Sequence, residues 1–368
     1  MSFDKVKHQF IDAEKPYAGT DVVTADVDGD GKVDVLCAGF WYKNPTWERF
    51  DIPGIHQVIQ AYDIDGDGKA ELIATTEENG KLSANLVWLK AEDPIAGQWN
   101  MHSIGVGVGD WPHGSYIGPL LPGGGLALVT AYHSVNAAVM GKRMDGARHF
   151  PEIWAVPNDS TQPWPKHTLA EIMYGEEMVA YDITGNGTLD LFAGPWWLEN
   201  LGDGSFDSHR IVDDPAFYPA RLVAMDVNGN GRTDIIMGQE ELGSRDIGTP
   251  LSPLAWFECP EDPRTGSWVM HVIDEVRCAH SLGAGDLDGD GELELAVGEH
   301  SPFRPEQECR TMIYKREDAQ GVSWKASVID DRFEHHDGMK IFEVDDGQLG
   351  IVSHGWKDSA FVHLWTVD

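Results

Sequence analysis

Short apolar runs recur along the whole chain, each bounded by clusters of aspartate, asparagine and glycine, and helical periodicity is almost absent. Five of the polar clusters share one nonapeptide: DVDGDGKVD at 26–34, DIDGDGKAE at 63–71, DITGNGTLD at 182–190, DVNGNGRTD at 226–234 and DLDGDGELE at 286–294. An apolar run precedes each copy (VVTAD, VIQAYD, EMVAYD, RLVAMD, SLGAGD) and another follows it (VDVLCAG, AELIATT, LDLFAG, TDIIMG, LELAVG). The nonapeptide therefore joins two strands of a hairpin.

A third strand with an aromatic residue comes next: FWYKNP from Phe40, LVWLKAEDP from Leu86, EIWAVPND from Glu152, WWLENLGDG from Trp196, LAWFECPEDP from Leu254 and MIYKRED from Met312. A fourth opens on an aromatic, as in WERFDI, WNMHSI, WPKHTL, FDSHRIV, WVMHVID and WKASVID. Its recurring histidines (His102, His167, His209, His271) read as scaffold on outer strands. Two further units lack the acidic loop but keep the frame: HGSYIGPLLPGGGLALVTAYHS from His113 and HDGMKIFEVDDGQLGIVSHGW from His336. An ungapped alignment sets His113 and His336 on His280, and His133 on His300.

Seven four-strand units predict an all-β fold, a seven-bladed β-propeller of four-stranded antiparallel blades, with residues 1–368 as one domain. The chain ends on FVHLWTVD, which matches a third strand, and begins with VKHQFID, which matches a fourth. The N-terminal strand is thus expected to complete the last blade and cover its edge.

The nonapeptide places oxygen side chains at positions 1, 3, 5 and 9 and glycine at 4 and 6, the spacing of a calcium loop. The expected ligands are Asp26, Asp28, Asp30 and Asp34; Asp63, Asp65, Asp67 and Glu71; Asp182, Asn186 and Asp190; Asp226, Asn228, Asn230 and Asp234; and Asp286, Asp288, Asp290 and Glu294. The ion would be structural, and tighter in the three aspartate-rich loops than where Thr184 or Asn stands. The alternative is an Asx-rich hairpin held by its own hydrogen bonds.

Charge changes the picture of partners. With 61 acidic against 27 basic residues the net charge is −34, which argues against nucleic acid and anionic membranes. Cys37, Cys259, Cys278 and Cys309 lie far apart and read as free thiols. No stretch is long and apolar enough to span a bilayer. MSFDKVKHQF is not a secretory leader, so a cytoplasmic location is expected unless a leader has been removed; a monomer is expected.

In a propeller the starts of the innermost strands converge. The position of His280 is filled in the seven units by Thr20, Gln57, His113, Glu176, Ala220, His280 and His336. His56, Glu177, Arg221, Arg277 and His335 adjoin it, with Tyr17 and Tyr218 just upstream. Second-strand ends add Trp41, His133, Trp196, Trp197, Glu240, His300, His354 and Trp356. Long connections at 133–150 and 239–253 bring Arg143 and Arg148, and a shorter one brings Arg304. Arginine near such a mouth in an acidic protein suggests an anionic oligo- or polysaccharide, and the aromatics suit sugar faces. His56, His133, Glu176, His300, His335, Trp41, Trp196, Arg148 and Arg304 are the expected substrate contacts.

The nonapeptides and four-strand units resemble the FG-GAP/VCBS repeats of integrin-type propellers over nearly the whole chain. IHQVIQAYDIDGDG, AHSLGAGDLDGDG and WWLENLGDG are similar to units of fungal aldos-2-ulose dehydratases. The compact single-domain length also resembles that of the L-rhamnose-α-1,4-D-glucuronate lyases of polysaccharide lyase family 42. These resemblances imply elimination chemistry at a histidine-lined propeller centre.

β-Elimination beside a uronate carboxylate needs a base, stabilisation of an enolate-like anion and an acid for the leaving oxygen. His113 is the first expectation for the base, with His280 or His336 as partner or acid. Arg221 and Arg277 would hold the carboxylate, and Tyr218 would donate the proton. Alternatively, His113, Glu176, His280 and His336 share a central divalent metal, and His56, His133 or His335 is the base. A calcium-stabilised propeller that binds glycan or protein without turnover is the competing class.

Overall fold

The computed structural model describes all residues except 1, 2, 4, 77–83, 109–111, 133–149, 173–175, 215–216, 305–306, 357–359 and 368. It contains seven four-stranded antiparallel sheets, and the chain is a seven-bladed all-β propeller. Blades 1 to 6 run in chain order over 22–51, 57–106, 112–168, 178–210, 219–277 and 279–330. Blade 7 takes Met339–Asp345, Gln348–His354 and Val362–Val367 from the C-terminal end and Val6–Asp12 from the N-terminal end. Val6 pairs with Val367 and Asp12 with Val362, so the expected strand closure is present. The chain divides into two compact units, one of residues 23–210 and one of 1–22 with 211–368.

In the first unit, buried clusters fill the space between successive blades. Trp41, Leu36, Val58 and Leu72 sit between blades 1 and 2, and Ile73, Trp88, Leu128 and Trp154 between blades 2 and 3. The second unit packs in the same way, with Ile236, Trp256, Leu295 and Met312 between blades 5 and 6. Ala296, Ile313, Ile351 and Trp365 lie between blades 6 and 7. One register carries the large side chain. Trp41, Trp88, Trp154, Trp197, Trp256 and Trp365 each stand opposite an inner-strand hydrophobe on the third strand, and blade 6 uses Ile313.

The fourth strand covers these indoles. His102, His209 and His271 stack on Trp88, Trp197 and Trp256 with ring centroids 4.4, 4.4 and 4.2 Å apart, as scaffold. Blade 3 departs from this: Lys166 pairs with Trp154 and sets its ammonium 4.5 Å over that ring, while His167 falls opposite Ile153. All four cysteines are free and buried, as expected.

The nonapeptide turns explain their own composition. Asp26 accepts the amides of Gly29, Asp30 and Gly31, and the two glycines sit at φ 74° and 85°, where a β-carbon is disfavoured. The ninth residue is buried in every copy and accepts the amide of the second: Val27 to Asp34, Ile64 to Glu71, Ile183 to Asp190, Val227 to Asp234 and Leu287 to Glu294. Asp34, Asp190 and Asp234 also take a third-strand amide, from Asn44, Asn200 and Cys259. Position 9 is thus a buried acceptor of backbone amides as well as an expected ligand.

Candidate active site

The starts of the first strands are bent before they enter the sheet. Register shifts interrupt the ladder at 112–115, 219–222 and 279–281. Cys278 and Asp337, just before the first strands of blades 6 and 7, have φ of 36° and 55°. Such bends turn consecutive side chains toward different surroundings.

In the unit of blades 5 to 7 they assemble one cluster. The rings of His280 and His336 stack with centroids 4.5 Å apart, and His300 meets His336 edge-on at 4.5 Å. Trp356 lies 4.5 Å from His336. Asp337 is fully buried and shared: its carboxylate touches Arg221 Nη2 and His336 Nδ1 and lies 3.4 Å from His280 Nδ1. Glu334 holds the third imidazole, with His300 Nδ1 2.5 Å from its Oε2, and its Oε1 accepts the Trp356 amide at 2.5 Å. Glu240 Oε1 stands 3.9 Å from His280 Nε2. His280 and His300 are 1% and 2% exposed, whereas His336, Trp356 and Glu240 are half-buried.

Main-chain bonds fix the frame. The amide of His300 points at the Arg277 and Cys278 carbonyls, that of His335 donates to Glu299, and that of His336 to His354. Burial drives the His336 pKa well below the ordinary value, against the pull of Asp337. Its imidazole is therefore neutral near pH 7. The Glu334 carboxylate at Nδ1 favours the tautomer of His300 with its proton there, which leaves Nε2 basic.

In the unit of blades 1 to 4, His113 and Glu176 form a buried pair with Nδ1 3.1 Å from Oε1. Gly114, at φ 107°, is needed there because a β-carbon would sit 3.0 Å from the Glu176 carbonyl. Gln57 is buried with its amide on the Val58 carbonyl, and His56 is half-buried with its backbone tied to Thr75.

Several expected contacts move. Trp41 is fully buried and stacks on Phe50 at 4.7 Å, so packing replaces the sugar contact expected of it. His335 is fully buried edge-on to His363 and Trp365 inside blade 7, apart from the His280 group. Arg221, expected as a clamp for a substrate carboxylate, is buried and engaged by Asp337. Arg277 reaches Glu299 through its amide, and that glutamate is bound by Arg310 at 2.6 Å. Trp196 is half-buried under Arg210, 5.5 Å from the ring. Tyr218 is half-buried where its carbonyl takes the Glu240 amide, and Arg304 lies in the connection that packs on Gly248. His133 and Arg148 lie outside the described residues. Asp337 and Glu334 were missed as site residues. Their signal is the tetrapeptide EHHD at 334–337, in which each histidine has an acid beside it.

Two kinds of metal were expected. The donor atoms of His280, His336 and Asp337 lie within 4.8 Å of one another, and this N/O set fits a first-row divalent ion in ligand type. The aspartate-rich loops fit calcium poorly, because Lys43, Lys90 and Lys315 each reach into one.

No protein-family model and no curated protein matches the chain. Among solved structures, the exotype rhamnogalacturonan lyase YesX superposes with a TM-score of 0.50 at 12% identity, over 98% of this chain and 76% of that one. An α-L-arabinanase of Penicillium chrysogenum, solved with arabinobiose, gives 0.50 at 12% identity over 98% and 97%. At these identities the likeness establishes the propeller fold.

Proposed function

We propose that the chain is a carbohydrate-active enzyme, a lyase that performs β-elimination on a uronate-containing glycan of rhamnosyl-glucuronate type, at the cluster of His280, His300 and His336. The observation that carries this reading is the pairing of imidazoles with buried carboxylates: His300 with Glu334, and His280 and half-buried His336 with Asp337. Glycoside hydrolysis uses two available carboxyl groups. Here Asp337 and Glu334 are bound to His, Arg or backbone, and the imidazoles they hold are the groups this reading assigns to proton transfer. The folds of YesX and the arabinanase are used on polysaccharide chemistry, which supports a glycan substrate.

In the reaction, His300 Nε2 takes the proton from C5, α to the uronate carboxylate. The C5–H electron pair forms the C4–C5 double bond, the C4–O bond breaks, and the departing rhamnosyl oxygen takes a proton. In this reading neutral His336 and its neighbour His280, stacked on it, relay that proton, and Glu334 orients the base. A divalent ion held by His280, His336 and Asp337 would supply positive charge for the substrate carboxylate.

The test is near-ultraviolet absorbance during incubation with a rhamnose-capped glucuronate glycan such as gum arabic, with and without chelator. A rising band from the unsaturated uronate, lost in His300→Ala, is expected. A flat trace from folded protein, repeated on other uronate polymers and on 1,5-anhydrofructose, would leave a binding propeller as the better reading.

A further inference from the structure

The five nonapeptide loops fall into two classes by one residue outside them. In each blade that residue follows the third-strand position that pairs with Val35, Leu72, Leu191, Ile235 or Leu295. It is Lys43, Lys90, Glu199, Glu258 and Lys315 in blades 1, 2, 4, 5 and 6. Lysine accompanies the loops with aspartate at both positions 3 and 5, and glutamate accompanies those with Thr184 and Asn186 or Asn228 and Asn230. Counting loop positions 1, 3, 5 and 9 with that third-strand residue, four carboxylates with a lysine, or three carboxylates alone, sum to the same formal charge of −3; position 7, which is Lys32, Lys69, Thr188, Arg232 or Glu292, lies outside this count.

The lysines enter where a calcium ion would sit. Lys43 Nζ contacts Asp28 and lies 2.6 Å from Asp30 Oδ2. Lys90 contacts Asp65 and lies 2.7 Å from Asp67 and 3.4 Å from Glu71. Lys315 lies 2.5, 2.6 and 3.2 Å from Asp288, Asp290 and Glu294. These are the oxygens of positions 3, 5 and 9, the donors a calcium ion would share. An ammonium there repels a divalent ion and already neutralises the pair that would attract it. In blades 4 and 5 the glutamate instead meets histidine, Glu199 with His209 at 3.0 Å and Glu258 with His271 at 3.2 Å.

We propose that Lys43, Lys90 and Lys315 are built-in cations standing in for calcium, so that the hairpins of blades 1, 2 and 6 close without metal. The charge exchange between loop and third strand is the device: each loss of loop carboxylates is matched by loss of the lysine.

Calorimetric titration of the metal-stripped full chain with calcium tests this directly. Binding of at most two ions is expected, one for each loop without lysine, and three or more ions per chain would overturn the proposal. The second arm compares wild type with the triple variant Lys43→Met, Lys90→Met, Lys315→Met. In chelator the variant should melt below wild type and regain stability on addition of calcium. A variant that melts at the wild-type temperature in chelator would show that the ammonium groups do not hold the loops. If the triple variant does not fold, Lys90→Met alone is read by the same two criteria.

Discussion

His335 offers a direct test of how burial sets the response of this chain to acid. Its imidazole is fully buried, packs edge-on to His363 and Trp365, and neither ring nitrogen has a hydrogen-bond partner among the described residues. Burial pulls its pKa down to about 4, against Glu334 and Asp330 and with help from His8 and His300. The unfolded chain keeps histidine near 6.5, so on acidification the unfolded state takes up the proton first. Stability from the neutral ring is complete above that value and is lost as pH falls from there toward the folded pKa. At pH 5 the loss from this one residue is about 2 kcal/mol, taking ~1.4 kcal/mol per pH unit. Three carboxylates work in the opposite direction. Burial raises Asp34, Asp190 and Asp234 to about 6, so the folded chain protonates them first and gains stability over the same interval. The whole-protein acid profile mixes both effects, and a difference measurement separates them. His335→Leu removes the titrating ring without breaking a bond. In urea unfolding at about pH 7.5 and about pH 5, the variant should gain ~2 kcal/mol on wild type at the lower pH. A wild-type-to-variant difference that stays within ~0.5 kcal/mol across that interval would refute burial as the cause.

Glu334→Gln keeps the shape of the group that orients His300 but removes its charge. A charge-assisted hydrogen bond of ~1.5–3 kcal/mol is at stake, so kcat on the glucuronate glycan should fall roughly 10- to 100-fold while KM changes less than about 2-fold. A fall in KM with kcat unchanged would count against the orienting role. Asp337→Asn leaves the Arg221 guanidinium buried beside a neutral amide and should cost about 3–5 kcal/mol in urea unfolding. A loss under ~1 kcal/mol would show that the pair is relaxed or solvated.

The fold was legible because seven units repeat one four-strand frame, five of them with the same Asp–Gly nonapeptide. Alternating apolar runs, the Asp–Gly turn and the third-strand aromatic each read locally, and seven repetitions leave little room for another architecture. The first-strand histidines were legible through alignment of units, since His280 and His336 occupy one repeat position. Their partners were not. Asp337 and Glu334 sit beside histidines on the chain, yet each turns to a residue far away in sequence, Arg221 and His300. That choice depends on a left-handed residue at 337, which a periodic pattern does not encode. Trp41 was misread for a related reason. Its place at a second-to-third-strand turn suggested a cavity wall, but the register sets it opposite Leu36 and into the core. The calcium expectation was read from the loops alone; Lys43, Lys90 and Lys315 lie 13 to 27 residues from the loop aspartates they reach and carry no signal inside the nonapeptide.

The segment before blade 7 ties site geometry to strand closure. Four consecutive residues go to four places: Glu334 to His300, His335 into the blade, His336 to the His280 stack, and Asp337 to Arg221. A shift of the backbone at any one of them would carry the others. The same segment is anchored upstream by the N-terminal strand. Arg332 bonds Asp330 at 2.6 Å and His8 at 3.0 Å, His8 meets His363 at 3.0 Å, and Phe333 packs against Phe10 and Phe361. The strand that closes the last blade therefore also clamps the chain entering the cluster. Preorganised acid–base groups need such support, since a misplaced imidazole loses its proton-transfer geometry before it loses its pKa. In this protein the support comes from the element that completes the fold, so the closure that stabilises blade 7 also positions His336 and Glu334.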